Sequence, residues 1–180
     1  MRVVAIGMDP QVSQPVLLLQ EIAGRHRVLP VWVGVPEATA IELERQRVIT
    51  PRPTTHRLIG EVITSCGRQL ERVRVTMMRD NVFHGELVLD GGTRISARVS
   101  DAVALALHLD VPIQAEDDVL DQVAVADAEV VTLDPGGEAE PLDLDPADRP
   151  PAEGGAIDVG EIAEFRRFLD DASPEDFDKG

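Results

Sequence analysis

The chain opens on three apolar runs of strand length, Val3 to Met8, Pro15 to Glu21 and Arg27 to Val33, all rich in Val, Ile and Leu. Ala23-Gly24-Arg25-His26, between the second and third, predicts a hairpin turn. The rhythm then changes. Pro36 stands where a first-turn helix proline belongs, and Ala38, Ile41, Leu43 and Val48 supply the apolar side of an amphipathic helix over about 36–48. Glu37, Glu42, Glu44, Arg45 and Arg47 are left for its other faces. Pro51-Arg52-Pro53 breaks the pattern. Thr54 or Thr55 caps a second helix, carried by Leu58, Ile59, Val62 and Ile63 and ended by Gly67. Leu70 to Met77 and Val82 to Leu89 alternate as a hairpin around Arg79-Asp80-Asn81, and Asp90-Gly91-Gly92 turns into a strand from Thr93 to Arg98. Ser100 is then expected to cap a third helix, Asp101 to Leu109. Its Ala102, Val103, Leu105, Ala106 and Leu107 leave almost no polar face, so it must be buried. Val111 to Ala115 reads as a last short strand, and Asp117 to Val123 as a closing helical turn.

Beyond this point the pattern dissolves. Residues 126–156 are dominated by Asp, Glu, Pro, Gly and Ala, a composition with too little apolar surface to offset the entropy of ordering. They read as an acidic flexible linker. Within 157–180, Asp158 with Glu161 three residues on marks a helix start, and Ile162, Phe165, Phe168 and Leu169 form an apolar stripe before Pro174. A helix this short is marginal alone and is expected to dock, on its own core, a second copy or a protein partner. The expected architecture is a single mixed α/β (α+β) domain over 1–125, with one mixed sheet and three to four helices, followed by the linker and the C-terminal helix.

Charge sharpens this division. The 180 residues carry a net charge of −16, but residues 1–114 hold 13 Arg against 12 acids, a net +1, and residues 115–180 hold the remaining −17. Every cation in the front part is an arginine, and Lys179 is the only lysine. Arginine grips carboxylates and phosphates but carries no transferable proton at working pH, which excludes lysine-based catalysis. Cys66 is the single cysteine, so no internal disulfide framework and no cysteine-rich zinc site forms. No run of eighteen apolar residues occurs and the first residues already read as a strand, so the expected location is the cytoplasm, with no membrane partner.

Four segments share a pattern: Leu29-Pro30-Val31-Trp32-Val33-Gly34, Pro36-Glu37-Ala38-Thr39-Ala40-Ile41, Pro51-Arg52-Pro53-Thr54-Thr55-His56, and Arg98-Val99-Ser100-Asp101-Ala102-Val103-Ala104-Leu105-Ala106. In their order and spacing over about residues 1–123 the sequence resembles the bifunctional nuclease domain family. Glu164-Phe165-Arg166-Arg167-Phe168-Leu169-Asp170, followed by Ser173-Pro174-Glu175-Asp176-Phe177, is similar to the tail of actinobacterial members. The resemblance implies a compact mixed domain, often homo-oligomeric, and hydrolysis of DNA and RNA. Two positions depart from the family pattern. Arg57 stands where an acid usually follows the Thr-His pair, and Val99 stands where proline usually precedes the Ser-Asp pair.

Phosphodiester cleavage needs stabilisation of phosphate charge, a positioned water and usually a divalent metal on carboxylates. Glu37, His56, Arg98 and Asp101 all fall at helix N-termini or strand ends, where free N–H groups and partial positive charge suit a phosphate. The corresponding expectation has Arg52 and Arg98 gripping phosphate oxygens, Glu37 and Asp101 binding Mg²⁺ or Mn²⁺ or activating water, and His56 transferring a proton. Each residue also has a structural reading. Glu37 and Asp101 suit first turns by charge alone, Arg98 pairs with either, and His56 caps or packs.

No P-loop, HExxH, CxxC pair or dinucleotide glycine fingerprint occurs. Only Trp32 and Phe83 are aromatic in residues 1–123, which leaves no stacking platform for single strands, and no basic stripe is present. Nucleic acid is therefore expected to bind weakly, through arginines such as Arg68, Arg72, Arg74 and Arg79. The acidic segment 116–148 is expected to compete for them as a polyanion mimic. The alternative to a nuclease is a non-catalytic, self-associating regulatory or interaction module.

Overall fold

A computed structural model describes residues 1–9 and 13–124. At their centre lies the helix with almost no polar face. Val99–Leu109 (α3) buries every residue from Ala102 through Ala106, and the elements around it are those that cover these side chains. Val35–Arg45 (α1), Thr55–Ser65 (α2), Leu70–Arg79 (β4) and Val82–Leu89 (β5) all pack against it. Gly60 permits the α2 approach, because a Cβ there would stand 3.0 Å from the His108 ring.

The strands form two sheets, where the sequence pattern suggested one. Arg2–Asp9 (β1), Gln14–Gln20 (β2) and Val28–Trp32 (β3) make an antiparallel meander in that order. The second sheet has the order β6-β5-β4-β7, with Arg94–Arg98 as β6 and Ile113–Ala115 as β7. Its β4–β5 and β5–β6 pairs are antiparallel and β4–β7 is parallel, so this sheet is mixed. Two consecutive helices intervene after β3, and the chain resumes strand structure in a separate ladder. Asp80 and Asn81, at φ 51° and 60°, make the two-residue turn of the β4–β5 hairpin, a conformation short polar side chains tolerate. Asp117–Val123 (α4) closes the described part, a mixed α+β fold with four helices.

Alternation along β2 divides its side chains between two cores. Leu17 and Leu19 join Leu29, Ile41, Val73, Val103 and Leu105 in the main one. Val16, Leu18 and Val28 form a second on the other face, with Trp32 against it and its indole N–H donating to Asp9 at 3.2 Å.

Two boundaries and one buried side chain differ from the sequence pattern. α1 stops at Arg45 rather than Val48, with Arg47 turned to φ 52° beyond it. Ser100 does not cap α3. The N-cap is Arg98, in extended conformation, and Ser100 lies buried in the first turn, because Val99 already occupies a helical position with its side chain in the core. Glu44, assigned to the polar side of α1, is buried and only 4% exposed. It accepts hydrogen bonds from Arg57 at 2.8 and 3.1 Å, and its Oε2 lies 3.3 Å from Nδ1 of the His108 ring. Arg57 also donates to the Val48 carbonyl at 2.7 Å, so one carboxylate ties α1, α2, their connection and the end of α3 together.

By contacts the chain divides into Met1–Pro150 and Pro151–Gly180. The expected linker at 126–156 and helix at 157–180 lie outside the described residues. Among the described residues no helix is long and apolar enough to cross a membrane.

Two consequences are measurable. Glu44→Ala leaves the Arg57 guanidinium enclosed without its partner and is expected to lower stability by about 3 kcal/mol, read from urea denaturation. The double change Glu44→Met, Arg57→Met should recover most of that loss, and no recovery would show that the pair is not the cause. Glu21, in the β2–β3 connection, is pulled from 4.5 to about 2, first by the side-chain hydrogen bond from Arg27, with burial opposing and the Arg27 backbone N–H assisting. A depressed carboxylate contributes its stability in full above its unfolded value and loses it as pH falls through the folded one. Urea midpoints are therefore expected to drop between pH 4.5 and about 2, and Glu21→Gln should flatten that slope.

Candidate active site: a cleft where three helices begin

α1, α2 and α3 are each eleven residues long, and their first turns line one open cleft of about 720 Å³. None of the three carries a side-chain cap, so their leading N–H groups are unanswered by cap side chains. The convergence follows from the packing. β6 runs directly into α3 at Arg98, and α1 and α2 both dock on α3, which places Pro36 and Glu37, Thr54 to His56, and Arg98 to Asp101 around the same opening.

Here the four residues singled out from the sequence meet. The Arg98 guanidinium donates through Nε to Asp101 Oδ2 at 2.8 Å, through NH2 to Asp101 Oδ1 at 3.2 Å and through NH1 to Glu37 Oε1 at 2.8 Å. The His56 ring places Nε2 3.0 Å from Asp101 Oδ1. An ionised carboxylate only accepts, so Nε2 carries a proton. Burial pushes the Asp101 carboxyl upward, but the hydrogen bonds from Arg98 and His56 and their charges outweigh it and hold it below the usual carboxylate range. Asp101 is thus an anion, and Arg98 is held still more firmly protonated, first by its hydrogen bond to Asp101 and then by that carboxylate's charge. Exposure separates the partners: Arg98 is 66% exposed, whereas His56 is 13% exposed.

A guanidinium occupies the place between the two carboxylates that a divalent ion would need. Both oxygens of Asp101 and Oε1 of Glu37 already accept from Arg98, and Asp101 Oδ1 also faces His56. Among the described residues no group of three His, Cys, Asp or Glu side chains is placed to hold a metal. In this arrangement Glu37 and Asp101 do not fit the expected Mg²⁺ or Mn²⁺ site, because three of their four oxygens already accept from Arg98.

The other sequence candidates lie elsewhere. Arg52 is exposed in the α1–α2 connection and is not part of the cleft lining. Arg57, the departure next to His56, is engaged by Glu44 and does not line the cleft. Arg68 pairs with Asp90, Arg72 with Glu71, and Arg74 with Glu86 and Glu116, so three of the four arginines proposed for nucleic acid are answered by acids of the domain. Glu116 is the one contact of this kind that the described part of segment 116–148 makes with them.

Two features were not legible as functional from sequence. Part of the cleft lining is aliphatic, formed by Ile59, Ile63, Leu87, Ile95 and Leu105. Ile59 and Ile95 stay 38% and 43% exposed there. Gly34, the N-cap of α1, is the second. A Cβ on it would stand 2.3 Å from Glu37 Oε2, so its missing side chain is what lets Glu37 lie where it meets Arg98. The Gly-Val-Pro-Glu order was the available signal.

Gly34→Ala tests this. The backbone there, at φ −72°, suits alanine, and the clash is with the end of a flexible side chain, so thermal stability should change little. The Glu37–Arg98 pair should open, seen as a shift of the Arg98 NH1 proton resonance, the group that donates to Glu37. An unmoved resonance would show that Gly34 does not position Glu37.

The comparisons with known proteins agree with the sequence pattern. A model of the bifunctional nuclease domain matches residues 17–128, which include all four cleft residues. Two uncharacterized proteins of Mycobacterium tuberculosis, from strains CDC 1551 and H37Rv, are each 38% identical to this chain over 181 residues. The match covers 98% of this chain and 96% of theirs, so the similarity extends beyond the domain into the acidic C-terminal part. The family model covers more than half of the chain, and the chain therefore belongs to the bifunctional nuclease domain family.

Proposed function

We propose that the protein is a nuclease that cleaves phosphodiester bonds in this cleft, with DNA and RNA as the substrate classes to compare. The observation that carries the reading is the position of Arg98. It is the most open member of the cluster and stands where three helices begin. Three of its five N–H groups bind Glu37 and Asp101, which leaves one on each terminal nitrogen for the oxygens of a phosphate. The balance of charge favours this. Glu37 and Asp101 exceed Arg98 by one negative charge, and three helix N-termini, each equivalent to roughly half a positive charge, offset it. The aliphatic part of the cleft suits the face of a nucleoside, so binding at this site requires neither an aromatic platform nor a basic stripe.

Within that reading His56 moves the proton, Asp101 orients its ring and balances the imidazolium, and Glu37 holds Arg98 in place. Homo-oligomerisation and a nucleic-acid partner belong to the same proposal. A second reading, the non-catalytic self-associating module, draws on one observation: Leu58 and Val62 of α2 are 51% and 52% exposed.

The test uses purified full-length protein and labelled DNA and RNA oligonucleotides, with Mg²⁺, Mn²⁺ or EDTA. His56→Ala, Asp101→Ala and Arg98→Ala are each expected to lower the cleavage rate about 100-fold or more while melting as cooperatively as the parent. Unchanged rates in all three, or no cleavage under any condition, would overturn the assignment.

A further inference from the structure

We infer that the cleft, on the nuclease reading above, takes one unpaired nucleotide at a time, with its phosphate on Arg98 and the face of its base on Ile59 and Ile95, so that single strands of DNA and of RNA are cut in preference to paired ones. The inference starts from two isoleucines that the core does not use. Leu87 and Leu105, in the same lining, are 6% and 2% exposed and belong to the main core, whereas Ile59 and Ile95 remain 38% and 43% exposed. Open apolar surface inside a cleft, beside a charged cluster, is the form of a site for a ligand with one apolar and one charged end. Their places tie them to that cluster. Ile59 follows His56 by one turn of α2, about 4.5 Å along its axis, and Ile95 lies three residues before Arg98 on β6, about 10 Å along the strand. Leu87 stands opposite Ile95 on the same face of the sheet, so the two present one aliphatic surface. A nucleotide has the matching form, an anion at one end and at the other a flat base with an apolar face.

Strandedness follows from which part of the base this lining can meet. Inside a duplex both faces of a base are covered by stacked neighbours, and the grooves show its edges, which are largely polar. To lay a face on Ile59 and Ile95 the base must leave the stack, which a single strand permits and a duplex opposes with the loss of pairing as well as stacking. Cationic contacts along the flanking backbone could offset that cost. Here Arg68, Arg72 and Arg74 are bound to Asp and Glu side chains of the domain, so the cleft gains little from them. The two contacts at the cleft, phosphate oxygens and a base face, occur alike in DNA and RNA, so both are accepted. Ile59 and Ile95 thus select the form of the strand, while the charged cluster acts on its phosphate.

The experiment measures kcat and KM of full-length protein on one end-labelled DNA oligonucleotide and on the RNA of the same sequence, each alone and annealed to its complement. The buffer is whichever of Mg²⁺, Mn²⁺ or EDTA supports the fastest cleavage of the single strand. Expected are cleavage of both single strands and a kcat/KM at least about tenfold lower on both duplexes, since unpairing must come first. Ile59→Gln combined with Ile95→Thr, both at exposed positions, should melt as the parent does and raise KM on the single strands about tenfold with kcat within about twofold, the sign of lost binding rather than lost chemistry. Ile95→Phe, which adds a stacking ring, should lower KM. Duplexes cut as fast as single strands, or a KM that either variant leaves unmoved, would overturn the inference and leave the nuclease reading standing. No cleavage of any strand under any of the three conditions would overturn both.

Discussion

Enclosure of α3 is the constraint on which the described structure depends. A helix with almost no polar side has no stable position at a surface, and burying one Val or Leu side chain is worth about 1.5–3 kcal/mol, so Val103 and Leu105 together weigh heavily in a marginal balance. The same enclosure builds the site. α3 starts at the end of an edge strand, and α1 and α2 reach the core by packing on α3, so the packing that closes the core also carries three helix N-termini to one opening. The cleft is a by-product of how the core is closed.

Two arginine–carboxylate clusters flank α3 and differ in exposure, which decides what each can do. Glu44 and Arg57 are 4% and 16% exposed. A pair so enclosed cannot exchange partners without leaving a charge unanswered, so it holds three helices in register and takes no ligand. Arg98 is 66% exposed, and solvent weakens its hold on Glu37 and Asp101. A phosphate can therefore share it. The departure at Arg57 belongs to the first cluster: the cation beside His56 turns to α1, and the acids facing the cleft are Glu37 and Asp101.

Charge in this domain is neutralised locally. Arg27 binds Glu21 and, on α4, Asp117 and Asp121, and Arg74 binds Glu86 and Glu116. With so few arginines left unanswered, long-range attraction of a polyanion is weak, and whatever the cleft binds it recognises at contact distance, inside a Debye length of about 8–10 Å. On the proposed nuclease reading, recognition rests on shape, on two open N–H groups of Arg98 and on the aliphatic lining.

Periodicity, turn chemistry and the four ordered motifs were enough to read the elements from β1 to α4, the burial of α3 and four polar residues of the cleft, Glu37, His56, Arg98 and Asp101, because each depends on neighbours within one element. Gly34-Val-Pro-Glu, Thr54-Thr-His and Arg98-Val-Ser-Asp each announce a helix start on their own. What periodicity could not supply was any relation between elements. It drew one sheet where hydrogen bonding makes two, placed Glu44 on a polar face where Arg57 and His108 draw it inward, and gave Ser100 a capping role that Val99 pre-empts by filling the core. It also paired Glu37 and Asp101 with a metal, whereas the fold sets a guanidinium between them. Local patterns encode which backbone forms, since that is settled by residues a few positions apart. Which charge answers which is settled by side chains brought together from 61 and 13 positions apart, as in Arg98 with Glu37 and Arg57 with Glu44, and only the tertiary structure decides that.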